Sequence, residues 1–335
     1  VRRSLRTATG VLLAAGATLA AGIQPITAAA APAAPAGRAA AHTAAASAAE
    51  HQKVRDFWTP ERMRSATPLD LLPGTAPGAR GTPRAQGPLS TVGPTAPAAA
   101  PRADTRANPQ PGGAWTGGGA VVKTSGRVFF TMGSRTASCS GDAVTSQNGS
   151  TVITAGHCVK YQGAWHTNWT FVPAYHDGQA PYGTWSAAKT ASTPQWVASE
   201  DINYDVGTAV VAPLDGKRLA DVVGAQGLQF NGAYNQEMYA FGFPAAAPYD
   251  GKQLSYCSGK TAKDFLFSKD HGLACNMTGG SSGGPWFASF DEATGSGLQA
   301  SVNSFGYTFL PNRMFGPFFG DEVKSLYEQS AAQKV

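Results

Sequence analysis

Asn276-Met277-Thr278-Gly279-Gly280-Ser281-Ser282-Gly283-Gly284-Pro285 sets two hydroxyls between pairs of glycines. Bare backbone on both sides lets amide N–H groups reach a carbonyl oxygen while a hydroxyl approaches its carbon. Ser282 is the expected nucleophile, and the Gly280 and Ser282 amides are the expected oxyanion donors. Gly/Ser runs taken alone are turns or linkers as often as sites. A second stretch, Thr154-Ala155-Gly156-His157-Cys158, ends the β-branched run Ser150-Thr151-Val152-Ile153 and sets a histidine where a strand gives way to a loop. A hydroxyl is a poor nucleophile at neutral pH, so His157 is the candidate base that takes its proton.

In this order the two stretches resemble the Thr-Ala-Ala-His-Cys and Gly-Asp-Ser-Gly-Gly-Pro boxes of chymotrypsin-like (trypsin-fold) serine peptidases. The resemblance implies a carboxylate between them that holds the base in the right tautomer. Asn203-Tyr204-Asp205-Val206-Gly207-Thr208-Ala209-Val210-Val211 resembles the family's Asp-Ile-Ala-Leu box, with Asp205 48 residues after His157 and 77 before Ser282. Asp201 is the rival, since it also precedes an apolar residue, but only Asp205 opens a full strand pattern. A turn or capping role is the ordinary fate of either.

The same resemblance implies a Cys139–Cys158 disulfide and leaves Cys257 with Cys275, whereas the sequence alone leaves three pairings open. A zinc site at Cys139, His157 and Cys158 lacks Cys-x-x-Cys spacing and further ligands; no metal or organic cofactor is required. Ser304-Phe305-Gly306 resembles the segment whose backbone takes an extended substrate as an added strand, with Phe305 walling the primary pocket. Asn276, six residues before Ser282, falls at the family's pocket base, and a neutral base argues against Lys/Arg selection. Asn303 stands where Glu-selective relatives carry a histidine.

Ser281 replaces the aspartate that pairs with a newly cut N-terminal amine in animal enzymes, and no Ile-Val-Gly-Gly start lies near Trp115. Both departures point to secreted bacterial relatives of the glutamyl-endopeptidase type, kept quiet or helped to fold by a pro-segment.

Charge divides the 335 residues unevenly. Residues 1–114 hold 12 Lys/Arg against 5 Asp/Glu, a net of +7, and residues 115–335 hold 14 against 16, a net of −2. The basic character belongs to the front, and the foldable part has no Lys/Arg cluster, which removes a nucleic-acid partner. Arg2, Arg3 and Arg6 precede an apolar, Ala-rich run to about Ala30, the pattern of a secretory signal at 1–30 and too short to span comfortably as an anchor. Four cysteines, all after residue 138, fit an exported, oxidised domain.

Residues 31–114 form a low-complexity pro-segment of disordered composition. It contains one island, Phe57-Trp58-Thr59-Pro60-Glu61-Arg62-Met63-Arg64, in which Thr59 and Pro60 could open a short helix that docks. Arg84, Arg102 and Arg106 are available to processing proteases. From Trp115 onward, short β-branched and aromatic runs between Gly, Asn, Asp and Ser predict an all-β domain. Strands are expected at 127–132, 139–145, 151–154, 170–172, 206–211, 237–243, 284–290 and 299–305, with a turn at Gln147-Asn148-Gly149-Ser150. A helix over 321–329 begins at an N-cap candidate, Asp321, and has Val323, Leu326 and Tyr327 at helical spacing.

The resemblance implies two six-stranded antiparallel β-barrels, about 118–215 and 223–320, closed by the helix, with the site between them. The expected activity is that of a secreted, monomeric serine endopeptidase acting on polypeptides and held by its own pro-segment. The rivals are an inactive peptide-binding module of the same fold, although no triad residue is replaced, and a secreted esterase, although there is no Gly-x-Ser-x-Gly elbow.

Overall fold

A computed structural model describes residues 39–73, 87–95 and 108–335. The expected signal sequence, residues 31–38 and the arginines at 84, 102 and 106 lie outside these. Six strands close into an antiparallel barrel: Ser125–Met132, Arg135–Val144, Thr151–Thr154, Thr167–Pro173, Trp185–Ser192 and Gly207–Val211. Closure is made by Trp185–Ser192, which pairs on one side with Thr167–Pro173 and on the other with Gly207–Val211. The interior is filled by Val128, Phe130, Ile153, Trp169, Phe171 and Val211, all buried. Gln147 to Ser150 turns as expected: Gly149 takes φ +63°, and Asn148 Oδ1 accepts from the Ser150 N–H (2.9 Å).

The second unit carries Gly227–Phe230, Glu237–Gly242, Ser255–Lys260, Pro285–Asp291 and Ser296–Val302 in one sheet, and His271–Ala274, Phe305–Gly306 and Arg313–Gly316 in another. The Cys257–Cys275 disulfide ties the two sheets. Gln110–Ala114 pairs with Ser255–Tyr256 and Ser258, so paired backbone begins before Trp115. The last helix runs Asp321–Ala331 and returns to the first barrel, burying Val323, Leu326 and Tyr327 there. Its N-cap is Gly320, not Asp321. The Asp321 carboxylate is instead taken by the Asn231 amide (2.7 Å) and the Gly87 N–H (3.0 Å). No helix among the described residues is long and apolar enough to cross a membrane.

Part of the front that reads as disordered is folded onto the barrel and the sheets of the second unit. Ala40–Thr43 adds a strand to Lys189–Ser192, and Ala48–Phe57 is a helix whose N-cap Ser47 and Glu50 form a reciprocal capping box. Pro60–Ser65 is the short helix expected of the island, with Thr59 accepting from the Arg62 N–H and Pro60 in the first turn. Trp58 and Met63 are buried with Phe129 and Tyr175, and the Trp58 indole donates to the Asn168 carbonyl (2.6 Å). An Ala/Pro-rich segment cannot fold on its own apolar surface, but it orders where an existing sheet supplies hydrogen bonds and an existing core receives its few anchors.

Candidate active site

His157 sits in the single 3₁₀ turn Gly156–Cys158 that follows the strand Thr151–Thr154, and Asp205 lies two residues before the strand Gly207–Val211. Gly207 is registered opposite Thr154, which brings the two residues together. Asp205 Oδ2 is 2.7 Å from His157 Nδ1, and Asp205 Oδ1 accepts from the His157 backbone N–H at 2.7 Å. A carboxylate only accepts, so the ring proton lies on Nδ1 and Nε2 is left as the basic nitrogen. The Ser304 hydroxyl also donates to Asp205 Oδ2 (2.6 Å). Gly156 is required here, because a Cβ would meet the Trp196 ring at 2.8 Å and Asp205 Oδ1 at 2.9 Å.

Asp201 is placed apart from this group. It caps the 3₁₀ turn Ile202–Tyr204, its Oδ1 accepting from the Asn203 N–H (3.1 Å) and side-chain amide (2.9 Å). The two serines of the glycine-rich loop differ as clearly. The Ser281 hydroxyl donates to the Thr278 carbonyl within its own loop (2.7 Å), whereas Ser282 Oγ is buried and has no hydrogen-bond partner. His157 Nε2 is likewise buried and unpartnered. Gly280 takes φ +92°, a conformation that only glycine adopts without strain.

Asn303 builds this loop rather than facing a pocket. Its amide donates to the Ser281 (2.9 Å) and Phe241 (2.8 Å) carbonyls and its oxygen accepts from the Trp286 indole (2.6 Å). Asn276 is exposed and accepts from the Tyr249 hydroxyl (2.5 Å), while its neighbour Met277 is buried. Phe305 is fully buried and stacked on Phe315, with Ser304 and Gly306 on either side of it in the chain. Cys139 bonds to Cys158 and Cys257 to Cys275. With both sulfurs next to His157 in a disulfide, the Cys139, His157 and Cys158 cluster cannot act as thiolate ligands.

Reading the sequence missed the groups that hold the histidine turn from behind. Three ring N–H groups donate to carbonyls in and just after the turn: His166 Nε2 to His157 (2.9 Å), Trp169 to Cys158 (2.9 Å) and Trp196 to Lys160 (2.8 Å). Burial pushes the His166 pKa down to about 4, which keeps the ring neutral. Ordinary core burial explains aromatic residues in such runs, so no sequence signal marks them as donors.

The front segment crosses this site. Thr67–Pro68 pairs in parallel with Ala137–Ser138, the Leu69 N–H donates to the Ser138 carbonyl (2.9 Å), and the Gly280 N–H donates to the Leu69 carbonyl (2.9 Å). Leu72–Pro73 then pairs in parallel with Phe305–Gly306, and the Leu72 N–H donates to the Ser304 carbonyl (3.2 Å). His157, Asp205 and Ser282 are all 0 % exposed.

No family model matches the chain. Among curated proteins, 75 residues are 41% identical to the extracellular metalloprotease of Bacillus subtilis (strain 168), a match over 22% of this chain and 23% of that protein. The chain thus spans about a quarter of that relative. Among solved structures, the Glu endopeptidase in complex with MPD shares the fold at a TM-score of 0.54 and 15% identity, over 66% of this chain and 97% of that one. The thermostable serine protease AL20 from an extremophilic microorganism is 39% identical, with a TM-score of 0.61 over 64% of this chain and all of that one. The protease Anisep from Arthrobacter nicotinovorans is 44% identical, with a TM-score of 0.62 over 66% of this chain and 100% of that one. With relatives this similar matched along their whole length, the chain belongs to the chymotrypsin-like serine proteases of bacteria and is a serine endopeptidase.

Proposed function

We propose that Ser282, His157 and Asp205 form the catalytic triad of this protease, and that residues 39–73 are an inhibitory pro-segment lying across it. The observation that carries the reading is the double hold of Asp205 on His157, which leaves Nε2 as the free ring nitrogen, together with a buried Ser282 hydroxyl that has no partner of its own.

In this mechanism Ser282 Oγ attacks the scissile carbonyl as its proton passes to His157 Nε2. Asp205 stays ionised and stabilises the imidazolium. Charge on the carbonyl oxygen is met by the Gly280 and Ser282 N–H groups. His157 then gives its proton to the departing amine, which leaves an acyl-enzyme on Ser282, and water reverses these roles to release the acid. The Gly280 donor is engaged by the Leu69 carbonyl, so the segment must leave before a substrate enters. Two disulfides and the charged, then apolar N-terminus support export to an oxidising compartment.

The test is covalent labelling by a serine-directed fluorophosphonate after processing of the full chain. Label is expected on Ser282, and Ser282→Ala should lose both label and casein digestion while keeping the same circular dichroism. Label on Ser281, or digestion retained by Ser282→Ala, would refute the assignment. Peptide and ester substrates offered side by side test the endopeptidase reading, for which peptide bonds must be turned over.

A further inference from the structure

The front segment shows which side chains the cleft receives. Leu72 is buried in a cluster with Trp196, Ile202, Phe305, Tyr307 and Phe315. Leu71, one residue earlier, packs against a separate cluster that contains Cys275, Met277 and Met314. Successive side chains of an extended chain point to opposite faces, so a single backbone laid along Phe305 and Gly306 feeds neighbouring residues into two different apolar pockets. That alternation holds for a guest running in either direction.

Both side chains are received mainly by apolar and aromatic groups. The buried side chains packed with Leu71 are sulfur-bearing or apolar; near Leu72 the Tyr307 hydroxyl is turned to the Asp264 carboxylate and the Ser304 hydroxyl to Asp205, while Tyr161 packs against the same cluster. A charged side chain buried among these groups would lose its water, which is costly. The apolar surface continues outward as well: Phe267 and Phe309 are more than half exposed and lie 5.8 and 5.3 Å from the Tyr307 ring, with Phe265 still more exposed on the same loop as Phe267. Contiguous exposed aromatics beside a cleft are a mark of a binding surface.

We propose that the protease selects polypeptides carrying two adjacent large aliphatic residues near the cut bond, and that Leu71-Leu72 is an internal copy of that motif. The proposal rests on the triad reading above. The Leu69 carbonyl occupies the Gly280 amide where a scissile carbonyl would be held, and Leu72 lies three residues further on, about 10 Å of extended chain. The two selected positions therefore fall within three residues of the cleaved bond. Losing either side chain to alanine should lower kcat/KM at least about tenfold, the ordinary return of an apolar pocket.

The experiment uses the full chain, processed until it digests casein and Ser282 takes the fluorophosphonate, acting on a mixture of random-sequence peptides whose products are sequenced. Leu, Ile, Met or Val is expected at two adjacent fixed positions within three residues of the cut. A labelled, casein-digesting enzyme whose cuts show no such pair, or favour Glu or Lys, overturns the specificity and leaves the triad standing. Absence of both labelling and digestion would instead remove the triad and this inference with it. In the unprocessed full chain, Leu72→Asp should speed labelling of Ser282 at least tenfold by expelling the segment, and an unchanged rate counts against Leu72 as an occupant of a selective pocket.

Discussion

Asp205 holds His157 at two places at once, with Oδ2 2.7 Å from the ring Nδ1 and Oδ1 2.7 Å from the backbone nitrogen. The same carboxylate thereby fixes the tautomer and the position of the turn that carries the ring. A carboxamide cannot accept both bonds at once, because one of its two ends donates rather than accepts. Asp205→Asn is expected to lower kcat by about ten-thousand-fold, the loss that follows a wrong tautomer. Asp201→Asn, which alters only a local cap, should cost less than about tenfold. Comparable losses in kcat from the two variants on one peptide substrate would reassign the acid.

The acid limit of stability should depend on buried histidines. His166 and His271 are each pushed down to about 4 by burial, below the ordinary value of about 6.5. Between these values the unfolded chain binds protons that the folded one refuses, so stability falls as pH drops from about 6.5 to 4 and is level below that. His166→Gln keeps an N–H donor for the His157 carbonyl but does not titrate. Its thermal midpoint, followed from pH 7 to 4, should decline less than that of the wild type.

Asp142 acts with the opposite sign. Burial raises its pKa to about 8, against about 3.8 for an unperturbed carboxyl, and its Oδ1 accepts from the Ser125 hydroxyl (2.9 Å). The folded chain keeps the proton where the unfolded chain releases it, so this group removes stability as pH rises from about 4 to 8. Asp142→Asn should flatten that decline, seen as a smaller drop in thermal midpoint between pH 5 and 8. A variant that tracks the wild type over that interval would show that Asp142 ionises freely in the fold.

Cutting the chain after Arg102 or Arg106 should not by itself switch the enzyme on. Residues 40–73 remain held by strand pairing at Ala40–Thr43, Thr67–Pro68 and Leu72–Pro73 and by the buried Trp58 and Met63. The nicked protein is expected to elute as one complex and to label slowly, with fast labelling only after dissociation or digestion of the fragment. Trp58→Ala removes a buried aromatic anchor, worth at least about 2 kcal/mol in such contacts, and should weaken retention of the fragment about 30-fold or more. Prompt full activity on nicking would show that continuity of the chain, not docking, maintains inhibition.

The sequence by itself carried the all-β class, the two motif stretches, the strand that follows Asp205 and the helix with Val323, Leu326 and Tyr327 inward, because each leaves a short-range pattern of spacing, alternation or turn chemistry. Strand Trp185–Ser192 left no such trace: its Trp-Ser-Ala-Ala-Lys-Thr-Ala-Ser has weak β-propensity and becomes a strand because partners on both sides hydrogen-bond it into the barrel. Only tertiary structure placed Asn276 at the surface, aimed three ring N–H groups at the carbonyls of His157, Cys158 and Lys160, and ordered residues 39–73 against Ser138, Gly280 and Ser304. The ordering of residues 39–73 depends on surfaces built by residues far away in the chain, and composition read locally counts a segment's own apolar groups but not the pockets and open sheet edges that receive them.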